Sequence, residues 1–346
     1  MKVRSILFLA LSGLCVACGN MRTFQVETFN PADVTYPKEV SKILMVNNAV
    51  PQPDSVGYQF VLNGEEQDTC RAKADSALFA FCRSLGTVIA DASYFEDVLL
   101  YHEPLRHDRA YLQDIRLGQE DVRRLCEENG TDAVISLERM TFTMEKEVES
   151  YPHMGLEYGV VKVRASGIVR TYIPQKEQSM ATILLSDSVM WEEVGDNLAM
   201  LNELLPPPDV ALEVAAAYIG ARMSDHFVPH WSEASRWYYT NPGARWKEAS
   251  AFASDGKWAE AEQRWMQIAE KSSNPAAQAK AYTNLALACE MQNRFSDACD
   301  WARKAEALFE KAEGEKGENT LLLKAYVIAL NERISADEKL NIQIGE

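Results

Sequence analysis

The chain changes character near residue 241, and that break limits what it can fold into more than any other feature. Up to about residue 240, short apolar runs of strand type alternate with helical spacings. From about Arg245 the sequence is rich in Ala, Glu and Lys and its periodicity is helical. Strands that alternate with helices need a sheet with helices laid on it, whereas successive amphipathic helices pack on one another. The sequence therefore predicts an α+β domain over residues 38–240 and an all-α domain over residues 241–346. With 346 residues, 47% of them apolar, the chain is long and apolar enough for both cores. Charge divides unevenly. Residues 241–346 hold 17 acidic against 14 basic side chains, and residues 1–240 hold 34 against 21. Such acidity argues against nucleic acid, whose phosphates need basic patches. It also argues against electrostatic binding to anionic lipid.

The first residues read as an export signal. Lys2 and Arg4 precede an apolar run from Ile6 to Ala17. That run is shorter than the roughly 20 residues a membrane-spanning helix needs, and it has the length of a signal-peptide core. Cys15-Val16-Ala17-Cys18 follows the pattern of a bacterial lipobox, with Cys15 where Leu is usual. The sequence thus predicts a signal peptide over 1–17, cleavage before Cys18 and a lipid on its thiol. Residues 18–37, with Asn20, Asn30, Pro31 and Pro37, read as a lipidated tether.

In the first domain Lys42–Val46 reads as a buried strand and Ala72–Leu85 as a helix. Tyr94–Tyr101 reads as a strand. Gln119–Asn129 reads as a helix stopped by Asn129-Gly130. Strands are expected over Asp132–Thr143, Leu156–Tyr172 and Ala181–Trp191, with a turn at Ile173-Pro174-Gln175. Asp209 is read as the N-cap of a helix that follows Pro206-Pro207-Pro208 and runs to Phe227. This predicts a mixed sheet with helices on one side. The order, with the helix–Asn-Gly-Thr-Asp–strand junction at 117–137, resembles the small α/β domain at the start of curli-export-type and TolB-type envelope proteins.

In the second domain small and large residues recur at fixed places. Tyr282, Leu285, Ala286 and Cys289 line one helix, Asn293 makes a turn, and Phe295, Ala298, Ala302 and Ala305 line the next. Ala249, Phe252, Gly256, Trp258, Ala261, Trp265 and Ala269 form a weaker copy. A short insertion at Ser272-Ser273-Asn274-Pro275 separates the two, and Leu321–Asn331 reads as a further helix. The pattern resembles tetratricopeptide repeats. The resemblance implies a groove lined by the first helix of each pair, and puts Trp246, Ser250, Lys280, Thr283, Asn284 and Leu287 on it as partner-binding residues. There Asn284 is suited to bond a peptide backbone and Lys280 to pair an acidic group. The aromatics from Trp231 to Tyr239 read as material between the two domains.

No GxSxG, HExxH or phosphate-cradling glycine loop occurs, so the sequence names no catalytic residue, metal or cofactor. His226 and His230, and His102 and His107 beside Asp108, read as surface histidines. Cys70, Cys82, Cys126, Cys289 and Cys299 form no CxxC pair. They read as buried thiols, with Cys289 and Cys299 the best candidates for a disulfide. As a whole the chain resembles an uncharacterised family of Gram-negative envelope lipoproteins with C-terminal tetratricopeptide repeats, a resemblance that implies no reaction. The expected function is a non-enzymatic adaptor, lipid-anchored to the outer membrane and facing the periplasm, that holds an envelope protein or peptide. The alternative is a glycan-binding lipoprotein using Trp231, Trp237 and Tyr239.

Overall fold

The structure is a computed structural model that describes residues 20–67 and 70–345. The expected signal peptide and Cys18 lie outside the described residues. In chain order the elements are β1 (Met21–Asn30), β2 (Lys42–Asn47), β3 (Tyr58–Leu62), β4 (Glu65–Glu66), α1 (Asp75–Asp91), β5 (Asp97–Leu100), α2 (Gln119–Asn129), β6 (Ala133–Tyr151), β7 (Leu156–Tyr172), β8 (Ala181–Gly195), α3 (Leu198–Leu204), α4 (Pro208–Arg222) and β9 (His230–Tyr239). Five helices follow: α5 (Ala244–Ser254), α6 (Trp258–Lys271), α7 (Pro275–Glu290), α8 (Phe295–Glu313) and α9 (Glu318–Ile344). Two compact units form. One holds Pro31–His230 with the chain end from Ile342, and the other holds β1 with Trp231–Asn341.

In the sheet unit β6 is the axis. Its first half pairs in parallel with β2, its second half in parallel with β3, and β7 lies antiparallel along its other side. β5 adds to β2 in parallel, β4 to β3 and β8 to β7. Side chains of a strand alternate between faces, and β2 shows what that does here. Ile43 and Met45 enter one apolar core with Leu78, Phe81, Leu85, Ala215 and Ile219 from α1 and α4. Leu44 and Val46 enter another with Val122, Leu125 and Cys126 of α2. Helices therefore cover both faces, not one as expected, because β2 is apolar at four successive positions, Ile43–Val46, which point to alternate faces and need cover twice.

Local signals set the helix limits. Gly130 ends α2 in the left-handed region at φ 65°, closing onto the Cys126 carbonyl. α4 starts at Pro208, and the expected cap Asp209 instead lies in its first turn. Its Oδ1 accepts from Lys73 N at 2.8 Å. α1 and α4 approach at Gly220, where an added Cβ would come within 2.6 Å of the Phe81 carbonyl oxygen.

The second unit is helical, with one two-stranded sheet. Alanines 261, 279, 286, 298, 302 and 305 are fully buried between the helices, where a small side chain lets helix axes come close. Trp265 fills the largest volume, also without exposure. Cys289 and Cys299 are free thiols, so the candidate disulfide is absent. Cys289 faces Glu262 and Cys299 faces Asn331. Residues 21–30, expected within the tether, are strand β1 paired with β9. Thr240 N donates to Asn20 O, and Gln25 bonds Ser235, so the two strands run antiparallel. The pairing partner lies some 210 residues away, beyond the reach of any local pattern.

Candidate functional site

The residues expected to line an open groove are mostly buried. On α7, Lys280, Thr283, Asn284 and Leu287 share one face with Glu290, and β9 lies against it. Asn284, with no exposure, holds the backbone of Tyr239: its Oδ1 accepts from Tyr239 N at 2.7 Å and its Nδ2 donates to Tyr239 O at 2.8 Å. One turn away Lys280 lies over the Tyr239 ring, 5.3 Å from its centroid. At the far end Arg236 forks onto Glu290 at 2.7–2.9 Å, and Tyr326 donates to the same carboxylate at 2.6 Å. Burial pushes the Tyr326 hydroxyl well above its ordinary range, with the Glu290 charge acting in the same direction.

Thr283 donates to the Ala279 carbonyl inside the helix. Leu287 and Trp246 are buried in the helical core, and the Ser250 hydroxyl is enclosed without a partner among the described residues. Asn284 does grip a peptide backbone as its chemistry suggests, but the peptide is the chain's own. As an outward partner surface this set is closed, because β9 supplies the apolar cover the helices need. The row of aromatics required for a glycan platform is also broken. Trp231 is exposed, Tyr239 is buried and Trp237 packs on Tyr326.

The sheet unit holds an open cleft of about 620 Å³ at the carboxyl ends of β2 and β5, the end at which parallel α/β sheets bind ligands. Val50, Pro51, Pro53, Leu78, Phe79 and Pro104 give it apolar walls, and Asp75 comes from the first turn of α1. The opposite lip, from the segment between β5 and α2, carries His102, Arg106, His107, Asp108 and Arg109. Arg106 is spent on structure: it forks onto Asp108 at 2.9 and 3.0 Å and bonds the carbonyls of Ala110 and Gln113. That contact holds the Asp108 carboxyl below its usual range. Arg109 is exposed and has no ion partner among the described residues. The Asn47 side-chain oxygen accepts from Ala49 N.

A buried polar cluster pins this lip. β6 bulges between Leu137 and Arg139, leaving Glu138 without a partner on β7, and bulges re-aim side chains. Glu138 is fully buried and accepts from Asn48 Nδ2 and Tyr172 Oη, each at 2.5 Å. Burial raises its carboxyl above the usual range, against the pull of those two donors. Asn48 also donates to Ile115 O, Arg170 forks onto Asp114, and Leu105 N donates to Asn47 O. The Arg170 hydrogen bonds hold Asp114 below its usual range. The cleft is thus a preformed shape on a rigid base.

Of the four histidines named from the sequence, His102 and His107 meet in this cleft. His226 instead bonds Asp33, and His230 lies 3.9 Å from Asp225. Among the described residues no group of three or more His, Cys, Asp or Glu is placed to hold a metal. Arg109, Phe79 and Asp75 carry no site signal in the sequence, since nothing in their spacing shows that two segments 30 residues apart face each other. Among the described residues no helix is long and apolar enough to cross a membrane.

A family model described as "Domain of unknown function (DUF8603)" matches residues 40–239, and one described as "Domain of unknown function (DUF6340)" matches residues 247–332. No curated protein matches the chain. Among solved structures it is similar to protein XCC0632 from Xanthomonas campestris, of the DUF330 family. That similarity covers 57% of this chain and 92% of the other at 10% identity, with a TM-score of 0.24. It is also similar to a "putative neuraminyllactose-binding hemagglutinin homolog" from Helicobacter pylori. There the similarity covers 56% and 81% at 13% identity, with a TM-score of 0.20. Because the first family model spans more than half of the sequence, this chain belongs to the DUF8603 family.

Proposed function

We propose that this protein is an envelope lipoprotein, anchored by a lipid on Cys18 and facing the periplasm from the outer membrane, that works by binding and not by catalysis. Its helical unit is a scaffold of tetratricopeptide-like helix pairs whose groove is filled by β9. Recognition then falls to the cleft of the sheet unit, which takes an acidic segment of an envelope partner together with an apolar neighbour. The observation that carries this reading is the cleft's composition. With Asp108 paired to Arg106, the Arg109 guanidinium and two imidazoles stand with the single carboxylate of Asp75 on a chain of net charge −16, over walls of Leu78, Phe79 and four other apolar residues. The volume lies within the range of ligand pockets. Its lining offers imidazoles, guanidinium and carboxylates but no hydroxyl, thiol or amine nucleophile. The anchor reading is supported by the lipobox. β1 begins three residues after Cys18, so the chain reaches at most about 10 Å from the lipidated residue before strand structure starts.

The test is in-cell crosslinking of the tagged protein with mass spectrometry of what it holds. The expected result is one envelope protein, lost on Arg109→Ala and kept on Lys280→Ala. Unchanged recovery with Arg109→Ala overturns the cleft assignment. For the anchor, Cys18→Ala is expected to move the protein from the membrane fraction to the soluble one.

A further inference from the structure

Among the described residues the sheet unit ends in the edge of β8, along which no further strand is paired. β8 runs 15 residues, Ala181–Gly195, about 50 Å at 3.4 Å per residue. It pairs with β7 through its whole length without a register shift, and with no other strand. A free edge is a template for another chain, and proteins blunt it with lysine, proline, bulges or shortness. β5 and β4, which end the sheet on the other side, are short, with four and two residues. β8 has none of these devices. Its sequence, ATILLSDSVMWEEVG, holds no lysine, arginine or proline.

Its outward face carries Leu184, Met190 and Val194 at 75%, 51% and 52% exposure, large apolar groups on one side of one strand. On the helix side a cavity of about 220 Å³ lies beside the edge, lined by Leu184, Leu185, Asp187, Ile219, Arg222 and His226 among others. A strand laid along β8 has room there for a side chain. The charge of the edge decides what that strand is. Asp187, Glu192 and Glu193 are its only charged groups. Asp187 is only loosely engaged, at 3.6 Å from Arg222 and in a local bond to Ser188 N. A second copy of β8 would bring six carboxylates together with no lysine or arginine on either strand and only Arg222 near each Asp187, which cross-strand pairing disfavours.

We propose that β8 is a docking edge for an extended, basic segment of a partner protein, which adds to the sheet as a further strand with lysine or arginine opposite Asp187 and Glu192–Glu193 and apolar residues opposite Leu184 and Met190. Backbone hydrogen bonds supply affinity in such β-augmentation, and the alternating side chains supply selectivity. The edge is separate from the cleft, and the test uses only β8 variants, so its failure leaves the cleft reading standing and the reverse also holds.

The probes are two fluorescein-labelled ten-residue peptides, one alternating lysine with valine and the other alternating glutamate with valine, titrated onto the purified chain and followed by anisotropy. The lysine peptide, whose lysines all fall on one face of the added strand, is expected to bind roughly tenfold tighter than the glutamate peptide, from opposite-charge pairs with Asp187 and Glu193, which share a face of β8. In the triple variant Asp187→Lys, Glu192→Lys, Glu193→Lys the preference reverses. Leu184→Lys alone, a surface change that leaves the β7 ladder intact, weakens the lysine peptide several-fold; its melting curve and that of the triple variant report folding separately. Equal binding of both peptides, or a preference unmoved by charge reversal, overturns the proposal. So does a dimer in sedimentation that Glu192→Lys dissolves, since the edge would then belong to a second copy.

Discussion

In the helical unit the face of α7 that carries Lys280, Asn284 and Glu290 is covered by the chain's own β9, whereas in the sheet unit the cleft beyond β2 and β5 stands open. Both are lined by polar groups able to hold another molecule. The difference lies in what each surface would do if left bare. The α7 face has Leu287 and Trp246 beside it, apolar groups of the helical core that would meet water if the face were bare. β9 supplies the missing layer, and the polar groups on the face have become its clamps. The cleft has its apolar core already closed beneath it by α1 and α4, and its lip held by the Glu138 cluster. It can stay empty without exposing the core. One surface is structural because the fold needs it filled, and the other is available because the fold does not.

The sharpest way to break that contrast is at Glu290. Removing it leaves Arg236 and Tyr326 facing a void in the helical core, and breaking a buried ion pair from one side costs on the order of 4 kcal/mol. Glu290→Ala is therefore expected to lower the midpoint of chemical unfolding more than any other single change at this interface. If the loss were under about 1 kcal/mol, the pair would be behaving as an exposed one and β9 would not be a structural layer.

Asn284→Ala is expected to cost somewhat less, about 2 kcal/mol, since it strands the buried N–H and C=O of Tyr239. Helix content by far-ultraviolet circular dichroism should stay constant. Hydrogen exchange at Tyr239 N–H should accelerate, because that amide loses its acceptor. An amide still protected in the variant would mean that β9 is held by its pairing with β1 and not by α7.

The cleft lip gives a pH-dependent counterpart. Asp114 is depressed by its bonds to Arg170. A depressed carboxyl contributes stability that is complete above its unfolded value, about 3.9, and is lost as pH falls through the lower folded value. Asp114→Asn should therefore be less stable than the parent by about 2 kcal/mol at pH 7, with the gap closing below about pH 4. Glu138 runs the other way. Burial raises its value in the folded protein, so its charged form opposes folding, and the stability it removes is regained as pH falls through that raised value. A difference between parent and Asp114→Asn that did not narrow in acid would show the pair to be unformed.

Much of this fold is legible in the sequence, and the reason varies by element. α2 and β7 match the expected limits of Gln119–Asn129 and Leu156–Tyr172, because a glycine stop and the apolar–polar alternation over Val161–Ser166 are local signals. Asn293 makes its turn with φ 58°, and the alanines of α6 and α8 are buried as their spacing implies. β1 was not legible: MRTFQVETFN has strand composition, yet its partner is β9, and no local rule links them. β3 is not legible, because five residues between two turns carry too little periodicity. The double cover of the sheet could have been read from the unbroken apolar run of β2, which alternates with nothing. Of the expected groove residues, Lys280, Thr283, Asn284 and Leu287 do share one face of α7, but the register of α7 does not reveal that a strand from 45 residues earlier already occupies it. Arg109 and Phe79 were not legible at all, since the cleft exists only once α1 and the segment after β5 are placed on the same end of the sheet.

The smallest expected effect on stability is at Arg109, and it separates the two surfaces most cleanly. The side chain is exposed and carries no ion pair among the described residues, so Arg109→Ala should leave the unfolding midpoint within about 0.5 kcal/mol of the parent. A group that the fold does not use but that faces a preformed, apolar-walled cleft is free to act on a ligand. The same substitution should therefore abolish recovery of the crosslinked partner, while Lys280→Ala, whose side chain lies over Tyr239, should leave it intact and lower stability slightly. If Arg109→Ala destabilised the protein as much as Asp114→Asn, the lip would be another self-filled surface. The distinction between a groove closed by the chain and a cleft kept open for a partner would then fail.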